Sequence, residues 1–142
     1  MLDLNKFIEN CVIKRSKSMF WDDIDANRER IEKKIKDKSV LVIGGAGSIG
    51  TSFIKAILPF RPAALVVVDY NENALTELTR DLRSTKDTYI PEDYNPYPMD
   101  FASPVFEKMF RKHGGFNIVG NFSAHKHVRS EKDIYSIEAL IR

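Results

Sequence analysis

The chain has 142 residues, of which 43% are hydrophobic and 30% are charged, a composition typical of one globular domain with its own core. Its net charge of +2, from 22 basic and 20 acidic residues, does not predict a nucleic-acid-binding surface. The single cysteine, Cys11, excludes an intrachain disulfide and does not favour a metal site. Since no apolar run approaches the ~20 residues of a membrane-spanning helix and no secretory leader is recognisable, we expect a cytoplasmic protein without membrane partners.

Residues 1–38 differ from the rest of the chain, and we interpret them as an N-terminal helical extension. Apolar side chains recur at helical spacing in two stretches, near 3–14 and 22–37, on either side of a polar Lys-Arg-Ser-Lys-Ser segment. Such helices are more typical of a cap on a domain or an interface arm than of a catalytic element. The basic residues between them are more typical of a solvated face than of a binding patch.

An apolar run enters a glycine cluster at residues 40–50, and this segment is the most informative of the chain. Val-Leu-Val-Ile predicts a buried strand, and a helical pattern follows from about residue 48 to residue 58. A strand, a glycine turn and a helix in this order build a phosphate site. The first turn of the helix offers unpaired N–H groups and a partial positive charge there.

The spacing of the glycines points to a dinucleotide. Gly44, Gly47 and Gly50 form G-x-x-G-x-x-G, and Gly45 with the last two also satisfies G-x-G-x-x-G. Glycines let the backbone turn tightly and approach a pyrophosphate without Cβ clashes. A glycine-rich turn that binds no ligand is the alternative.

A second buried strand is predicted at residues 63–69, and it ends in an acid. Asp69 lies 19 positions after Gly50, close to the ~20 expected for the acid that binds the adenosine ribose. Pro59 and Pro62 end the helix that leads from Gly50 towards this strand. The Asp69 carboxylate can accept from both ribose hydroxyls and would repel a 2′-phosphate, which favours NAD over NADP. A capping role for Asp69 at the next helix is the alternative.

Helices and strands continue to alternate downstream, which predicts an α/β domain over residues 39–142. We expect a parallel sheet of about four strands with right-handed crossovers, and ligands bind such sheets beyond the carboxyl ends of the strands. The next predicted elements are a helix over 72–83 with Asn71 as N-cap and a loop over 89–98, which leads into a short third strand ending near Met99. A further helix has Ser103 as N-cap and Pro104 at its first position, and it stops at Gly114. A strand over 116–122 and a last helix from about residue 133 follow.

The ends of the third and fourth strands carry further candidate site residues. Asp100 follows the third strand, where its carboxylate could accept from the exocyclic amine of adenine; a loop or capping role is the alternative. Phe122, Ser123 and Ala124 end the fourth strand, and we expect their backbone beside the cofactor ribose and nicotinamide.

A basic cluster, His125-Lys126-His127, follows directly and could grip a diphosphate or a sugar. The ammonium group of Lys126 disfavours a cation beside it, so these residues are poor metal ligands. An ordinary basic surface turn is the alternative.

Three of these segments resemble a known family. The runs Val-Leu-Val-Ile-Gly-Gly-Ala-Gly-Ser-Ile-Gly, Val-Val-Asp-Tyr-Asn-Glu-Asn-Ala-Leu and Ala-His-Lys-His-Val are similar to the polysaccharide-biosynthesis branch of the extended short-chain dehydrogenases/reductases. This branch contains nucleotide-sugar 4,6-dehydratases and epimerases, typified by UDP-N-acetylglucosamine 4,6-dehydratase. The resemblance covers about residues 38–142 and implies a Rossmann-like fold, a UDP-sugar substrate and a tightly held NAD(P). The cofactor takes a hydride from C4 of the sugar, assists the loss of water and returns the hydride.

The resemblance also assigns roles to individual residues. It implies pyrophosphate binding by Gly44, Gly47, Ser48, Ile49 and Gly50, ribose binding by Asp69, adenine binding by Asp100 and Phe101, a nicotinamide-side position for Ala124, and contact with the nucleotide-sugar by Lys126 and His127.

The family's catalytic Tyr-x-x-x-Lys pattern does not occur in these 142 residues. General acid–base chemistry at a sugar hydroxyl needs such a tyrosine with a lysine beside it. We therefore assign no catalytic residue and expect the truncated domain to be inactive alone, with a non-enzymatic dinucleotide-binding or interaction module as the alternative. The fourth strand is then expected to be an uncovered edge, which predicts a homo-oligomer, assisted by the N-terminal extension.

Overall fold

The computed structural model describes residues 7–15, 19–124, 134 and 138, and the chain divides into two compact units, Met1–Lys34 and Ile35–Arg142. The first unit contains α1 (Ile8–Ile13, a short π-helix) and α2 (Trp21–Ala26), and α3 (Arg28–Ile35) begins in it. The predicted continuous helix over 22–37 is therefore broken. The Asn27 side chain donates to the Asp23 carbonyl at 2.8 Å, a contact of the kind that competes with the helical ladder.

The second unit is built on parallel strands. Within the described residues one sheet contains β1 (Ser39–Ile43), β2 (Ala64–Asp69), β3 (Asp93–Pro98) and β4 (Ile118–Asn121), in the order β3-β2-β1-β4. Its helices are α4 (Ser48–Ile57), continued by a 3₁₀ turn at Leu58–Phe60, α5 (Glu72–Ser84) and α6 (Pro104–Lys112). The α/β class predicted from the alternation of elements is confirmed. None of the helices in the described residues has the length and apolar character needed to cross a membrane.

The two central strands supply the core, because their side chains are buried on both faces of the sheet. Val40 and Val42 of β1 point to the face that α4 and α5 cover, where Leu78 of α5 is buried against them. Leu41 of β1 points to the opposite face and shares a cluster with Met109 of α6. This alternation explains the near-continuous apolar runs of β1 and β2.

The third strand corrects a prediction. Residues 93–98 lie within the segment expected to be a loop, yet they pair in parallel with β2, with Pro96 opposite Val67. Within the described sheet β3 is an edge strand, where a proline is tolerated because its missing N–H can face away from the ladder. Tyr94 of β3 contacts α5, since its hydroxyl and that of Thr79 share a hydrogen bond of 3.0 Å; burial raises the pKa of this phenol.

The predicted caps are confirmed. The Asn71 side chain accepts from the N–H of Ala74 at 3.0 Å, and the Ser103 hydroxyl accepts from the N–H of Phe106 at 3.3 Å, with Pro104 in the first turn. Gly114 follows α6 with φ at +69°, a conformation that glycine adopts without strain. These caps fix where α5 and α6 begin, next to the carboxyl ends of β2 and β3.

We expect Ser103→Ala to lower the free energy of unfolding by about 1 kcal/mol, because an N–H in the first turn of α6 loses its acceptor. Chemical denaturation followed by circular dichroism measures this change. Ser52→Ala is the matched control, since the Ser52 hydroxyl donates to the Ser48 carbonyl inside α4 and caps no helix end. Equal losses in the two variants would contradict the capping role.

Candidate functional site

A cleft of about 600 Å³ lies at the carboxyl ends of the strands. Residues that follow each of the four described strands line it, because the carboxyl ends of parallel strands meet at one edge of the sheet. The structure brings these predicted site residues together in the lining: Gly44, Gly47, Asp69, Asp100, Phe101, Phe122, Ser123 and Ala124.

Gly44 allows the turn after β1 to pass close to the end of β4. Its φ is +70°, and a Cβ atom there would lie 2.6 Å from the backbone nitrogen of Ser123. Its N–H donates to the Val68 carbonyl at 2.8 Å, which holds the turn against β2. The conformation and the crowding both require glycine at this position.

Gly45 and Gly50 are required by packing within the protein. Both are buried, and neither is among the residues that line the cleft. A Cβ on Gly45 would collide with the Val67 side chain, and a Cβ on Gly50 would collide with the Gly44 carbonyl and lie 2.7 Å from the Gly45 Cα. These two glycines let the first turn of α4 pack directly on the turn after β1.

Gly47 is different, because no protein atom requires its missing side chain. Its φ of −71° and ψ of 164° are open to most residues, and a Cβ there would meet its nearest neighbour, the Gly44 carbonyl, at an ordinary 3.4 Å. It is exposed, lines the cleft and is the N-cap of α4, with no side-chain capping bond. The first-turn N–H groups of α4 therefore have no intrahelical partner and no capping side chain.

Ser48 and Ile49 form the exposed first turn of α4 and do not line the cleft. Their predicted contribution is their backbone N–H groups, which belong to the positive end of the helix dipole.

Asp69 joins the end of β2 to the glycine turn. One carboxylate oxygen accepts from the N–H of Ala46 and the other from the N–H of Asn71, each at 3.0 Å. Asp69 therefore does not cap α5 itself. It accepts from the backbone N–H of Asn71, and the side chain of Asn71 caps the helix. Each carboxylate oxygen keeps a further lone pair for a donor in the cleft.

Asp100 has the loop role considered for it, and it also lines the cleft. One of its carboxylate oxygens accepts from the N–H of Ala102 at 2.9 Å, and the Ser103 hydroxyl donates to its carbonyl at 2.6 Å, so it organises the turn into α6. It also lines the cleft beside Phe101, whose side chain is 43% exposed. An acceptor and an aromatic ring are thus available at this end of the cleft.

The end of β4 is shaped by Asn121. Its side-chain oxygen accepts from the N–H of Ser123 at 3.0 Å and from the Ser123 hydroxyl at 2.7 Å. Phe122 is held on the other side, where its ring lies 5.0 Å from that of Phe53. Lys126 and His127, the predicted substrate-binding residues, lie outside the described residues.

Several lining residues were not predicted from the sequence. One of them, Tyr70, is 87% exposed, and its adjacency to Asp69 was the signal that could have found it. The apolar ones carried no such signal, since nothing distinguishes them from core residues. The unpredicted lining residues are Ile43, Ala46, Val68, Tyr70, Asn71, Ala74 and Met99. Among the described residues, no group of three histidine, cysteine or acidic side chains is placed to hold a metal ion.

A family model described as "Polysaccharide biosynthesis protein" matches residues 40–140. Two curated relatives match most of the chain: the probable polysaccharide biosynthesis protein EpsC of Bacillus subtilis, 26% identical over 107 residues, and the capsular polysaccharide biosynthesis protein CapD of Staphylococcus aureus, 24% identical over 111 residues. They cover 74% and 75% of this chain, but the chain covers only 17% and 18% of them. A shorter match of 51 residues, 51% identical, covers 36% of this chain and 15% of the uncharacterized membrane protein MJ1061 of Methanocaldococcus jannaschii.

Solved structures share the fold. Pen from Bacillus thuringiensis superposes with a TM-score of 0.57 at 26% identity, over 75% of this chain and 30% of that one. A short-chain dehydrogenase from Leptospira borgpetersenii with bound NAD⁺ superposes with a TM-score of 0.55 at 14% identity, over 78% of this chain and 41% of that one. The epimerase Mth375 from Methanothermobacter thermautotrophicus superposes with a TM-score of 0.54 at 16% identity, over 87% of this chain and 32% of that one. The Rossmann-like fold expected from the sequence is confirmed by these neighbours.

The glycines offer a matched pair of substitutions. We expect Gly50→Ala to lower the free energy of unfolding by about 2 kcal/mol or more, because its Cβ would strike backbone atoms that cannot move aside. Gly47→Ala is expected to cost at most about 1 kcal/mol, the usual difference between glycine and alanine at an N-cap. Thermal or chemical denaturation of both variants measures the difference. A Gly47→Ala variant as unstable as Gly50→Ala would show that the fold needs both glycines.

Proposed function

The chain belongs to the family of polysaccharide biosynthesis proteins, and we propose that residues 39–142 are the NAD-binding part of a nucleotide-sugar 4,6-dehydratase or epimerase. The proposed substrate is a UDP-sugar, and the proposed compartment is the cytoplasm. The chain spans less than a fifth of the length of its curated relatives, so the proposal concerns the contribution of this part to a larger activity.

Gly47 is the observation that carries the proposal. The other glycines of the turn are explained by contacts within the protein, whereas no protein atom requires a glycine at Gly47, which lines the cleft. Gly47 lies at the N-terminus of α4, where unpaired N–H groups and the helix dipole favour a negative charge. A pyrophosphate is the group that this combination of small size, donors and positive potential suits best.

Asp69 supports NAD as the cofactor. Its carboxylate lines the cleft at the end of β2 and is held in place by two backbone N–H groups, with lone pairs left for the two ribose hydroxyls. A 2′-phosphate at the same place would meet a fixed negative charge. Arg80, the next basic residue along the chain, pairs with Glu77 at 2.7 Å, so it does not favour NADP either.

The remaining residues of the cleft fit the ends of the same cofactor. Asp100 offers an acceptor and Phe101 an apolar surface for the adenine, and Ser123 and Ala124 line the cleft and are proposed to face the nicotinamide side. When bound, NAD supplies the group that accepts a hydride and gives it back. These residues bind and orient it, and they exchange no proton with the sugar.

Acid–base chemistry on the sugar needs a tyrosine–lysine pair that these 142 residues do not contain. We therefore expect the chain to bind the dinucleotide without forming product from a UDP-sugar. Formation of a 4-keto sugar from UDP-N-acetylglucosamine and NAD by these residues alone would overturn this part of the proposal.

We expect calorimetry to detect NAD binding by the chain, and Gly47→Ala to weaken it at least ~10-fold, a loss of about 1.4 kcal/mol. The reason is steric, because the added methyl group occupies space next to the first-turn N–H groups of α4. Ser52→Ala, on the same helix but outside the lining, is the control and should bind like the unmodified chain. Absence of any nucleotide binding would refute both the enzyme and the binding-module interpretations.

We expect Asp69→Asn to reduce the preference for NAD over NADP by about tenfold or more, because the fixed negative charge that repels a 2′-phosphate is removed. The amide keeps one acceptor oxygen for the backbone. Asp100→Asn is the matched control: the adenine is the same in both cofactors, so affinity falls equally for each. An unchanged preference in Asp69→Asn would remove Asp69 from the ribose site.

A further inference from the structure

The N-terminal unit exposes apolar side chains instead of burying them. Among the described residues of α1, α2 and α3, none is buried. Eight large apolar side chains of this unit are between 37% and 70% exposed, and we call them the N-terminal apolar set. The set consists of Phe7, Ile8, Val12, Ile13, Met19, Phe20, Trp21 and Ile24.

This amount of exposed apolar surface indicates that the unit binds a partner. Segments shorter than about 40 residues rarely form a core that is stable by itself. An exposed apolar surface on the order of several hundred Å² usually marks an interaction site. An interface core is normally apolar with aromatic anchors, and Phe7 and Trp21 meet that description.

The charges beside the set indicate what the partner is. Lys14 and Arg15 directly follow α1, whereas Asp22 and Asp23 lie in the first turn of α2, and all four are exposed. Within residues 7–15 and 19–34, no ion pair joins any of these four side chains to another residue. The unit therefore presents an exposed apolar surface together with an exposed basic pair that follows α1 and an exposed acidic pair at the start of α2.

Such a surface is complementary to itself. In a two-fold symmetric dimer, the basic group of one copy meets the acidic group of the other, and the reverse contact forms at the same time. An anionic membrane surface would fit less well, because the aspartates next to Trp21 would be repelled while Lys14 and Arg15 were attracted.

We propose that the N-terminal apolar set is the interface between two copies of this chain, with Lys14 and Arg15 of one copy facing Asp22 and Asp23 of the other. The interface involves no residue of the cleft, so it stands independently of the proposed cofactor. It also differs from the association expected from the sequence, which was attributed first to the open edge of β4.

The first test compares two substitutions of equally exposed valines. Val12 is 63% exposed in the set, and Val105 is 58% exposed on α6 of the second unit. Sedimentation velocity over a range of concentrations should show a dimer for the unmodified chain and for Val105→Asp. Val12→Asp should weaken the dimer about tenfold or more, because a charge enters the apolar contact. Circular dichroism checks that both variants keep their secondary structure.

A charge exchange tests the orientation. Reversing the basic pair with Lys14→Glu and Arg15→Glu should weaken the dimer, and so should reversing the acidic pair with Asp22→Lys and Asp23→Lys. Combining the four substitutions should restore most of the affinity, since the complementarity returns with opposite signs. Failure of the combined variant to recover would overturn the proposed pairing.

Trp21 reports on the interface directly, because it is the only tryptophan of the chain. Its fluorescence should shift to shorter wavelength as the concentration passes through the dimerisation range. Three results would overturn the proposal. The first is a chain that stays monomeric at all concentrations. The second is a dimer that Val12→Asp leaves intact, since that dimer forms elsewhere, such as at β4. The third is a shift in Trp21 fluorescence that appears only with phosphatidylglycerol vesicles.

Discussion

The cleft depends on how closely three stretches of backbone approach one another at Gly44. Its Cα faces the backbone of Ser123, its carbonyl lies against Gly50 at the start of α4, and its N–H bonds to Val68 of β2. Two strands and a helix are thereby positioned through main-chain atoms. Main-chain contacts cannot relax by a change of rotamer, so the shape of the site is set by the fold rather than by adaptable side chains.

The alternation of apolar runs and helical patterns was sufficient to predict the parallel sheet and the helices that cover it. It failed where local and long-range preferences disagree. The composition of residues 93–98, which contain two prolines, an aspartate and an asparagine, is typical of a loop, but the backbone pairs with β2 because an edge strand tolerates the missing donors. The helix break at Asn27 was missed because the apolar pattern continues across it, whereas the contact between the Asn27 side chain and the Asp23 carbonyl is not visible in that pattern.

Spacing identified the polar centre of the cleft, because the helix and strand that lead from the glycine turn to the acid take about 20 residues in a βαβ unit. Spacing could not separate the tasks of the glycines, which depend on contacts with residues far along the chain. Gly44 is required by Ser123, and Gly45 by Val67, and neither neighbour is visible in the motif. The apolar lining was missed because burial alone distinguishes a core side chain from one at a cleft.

Asp69 shows how the site can be organised before a ligand arrives. Its two carboxylate oxygens are already engaged by the N–H groups of Ala46 and Asn71, which fix the acceptor in position and connect the glycine turn to the cap of α5. The open N-terminus of α4 presents donors that are equally fixed. A ligand that bridges the two therefore needs little rearrangement of the protein, which favours affinity and orientation. The described lining thus supplies fixed donors and acceptors, and these suit the binding proposed for a dinucleotide.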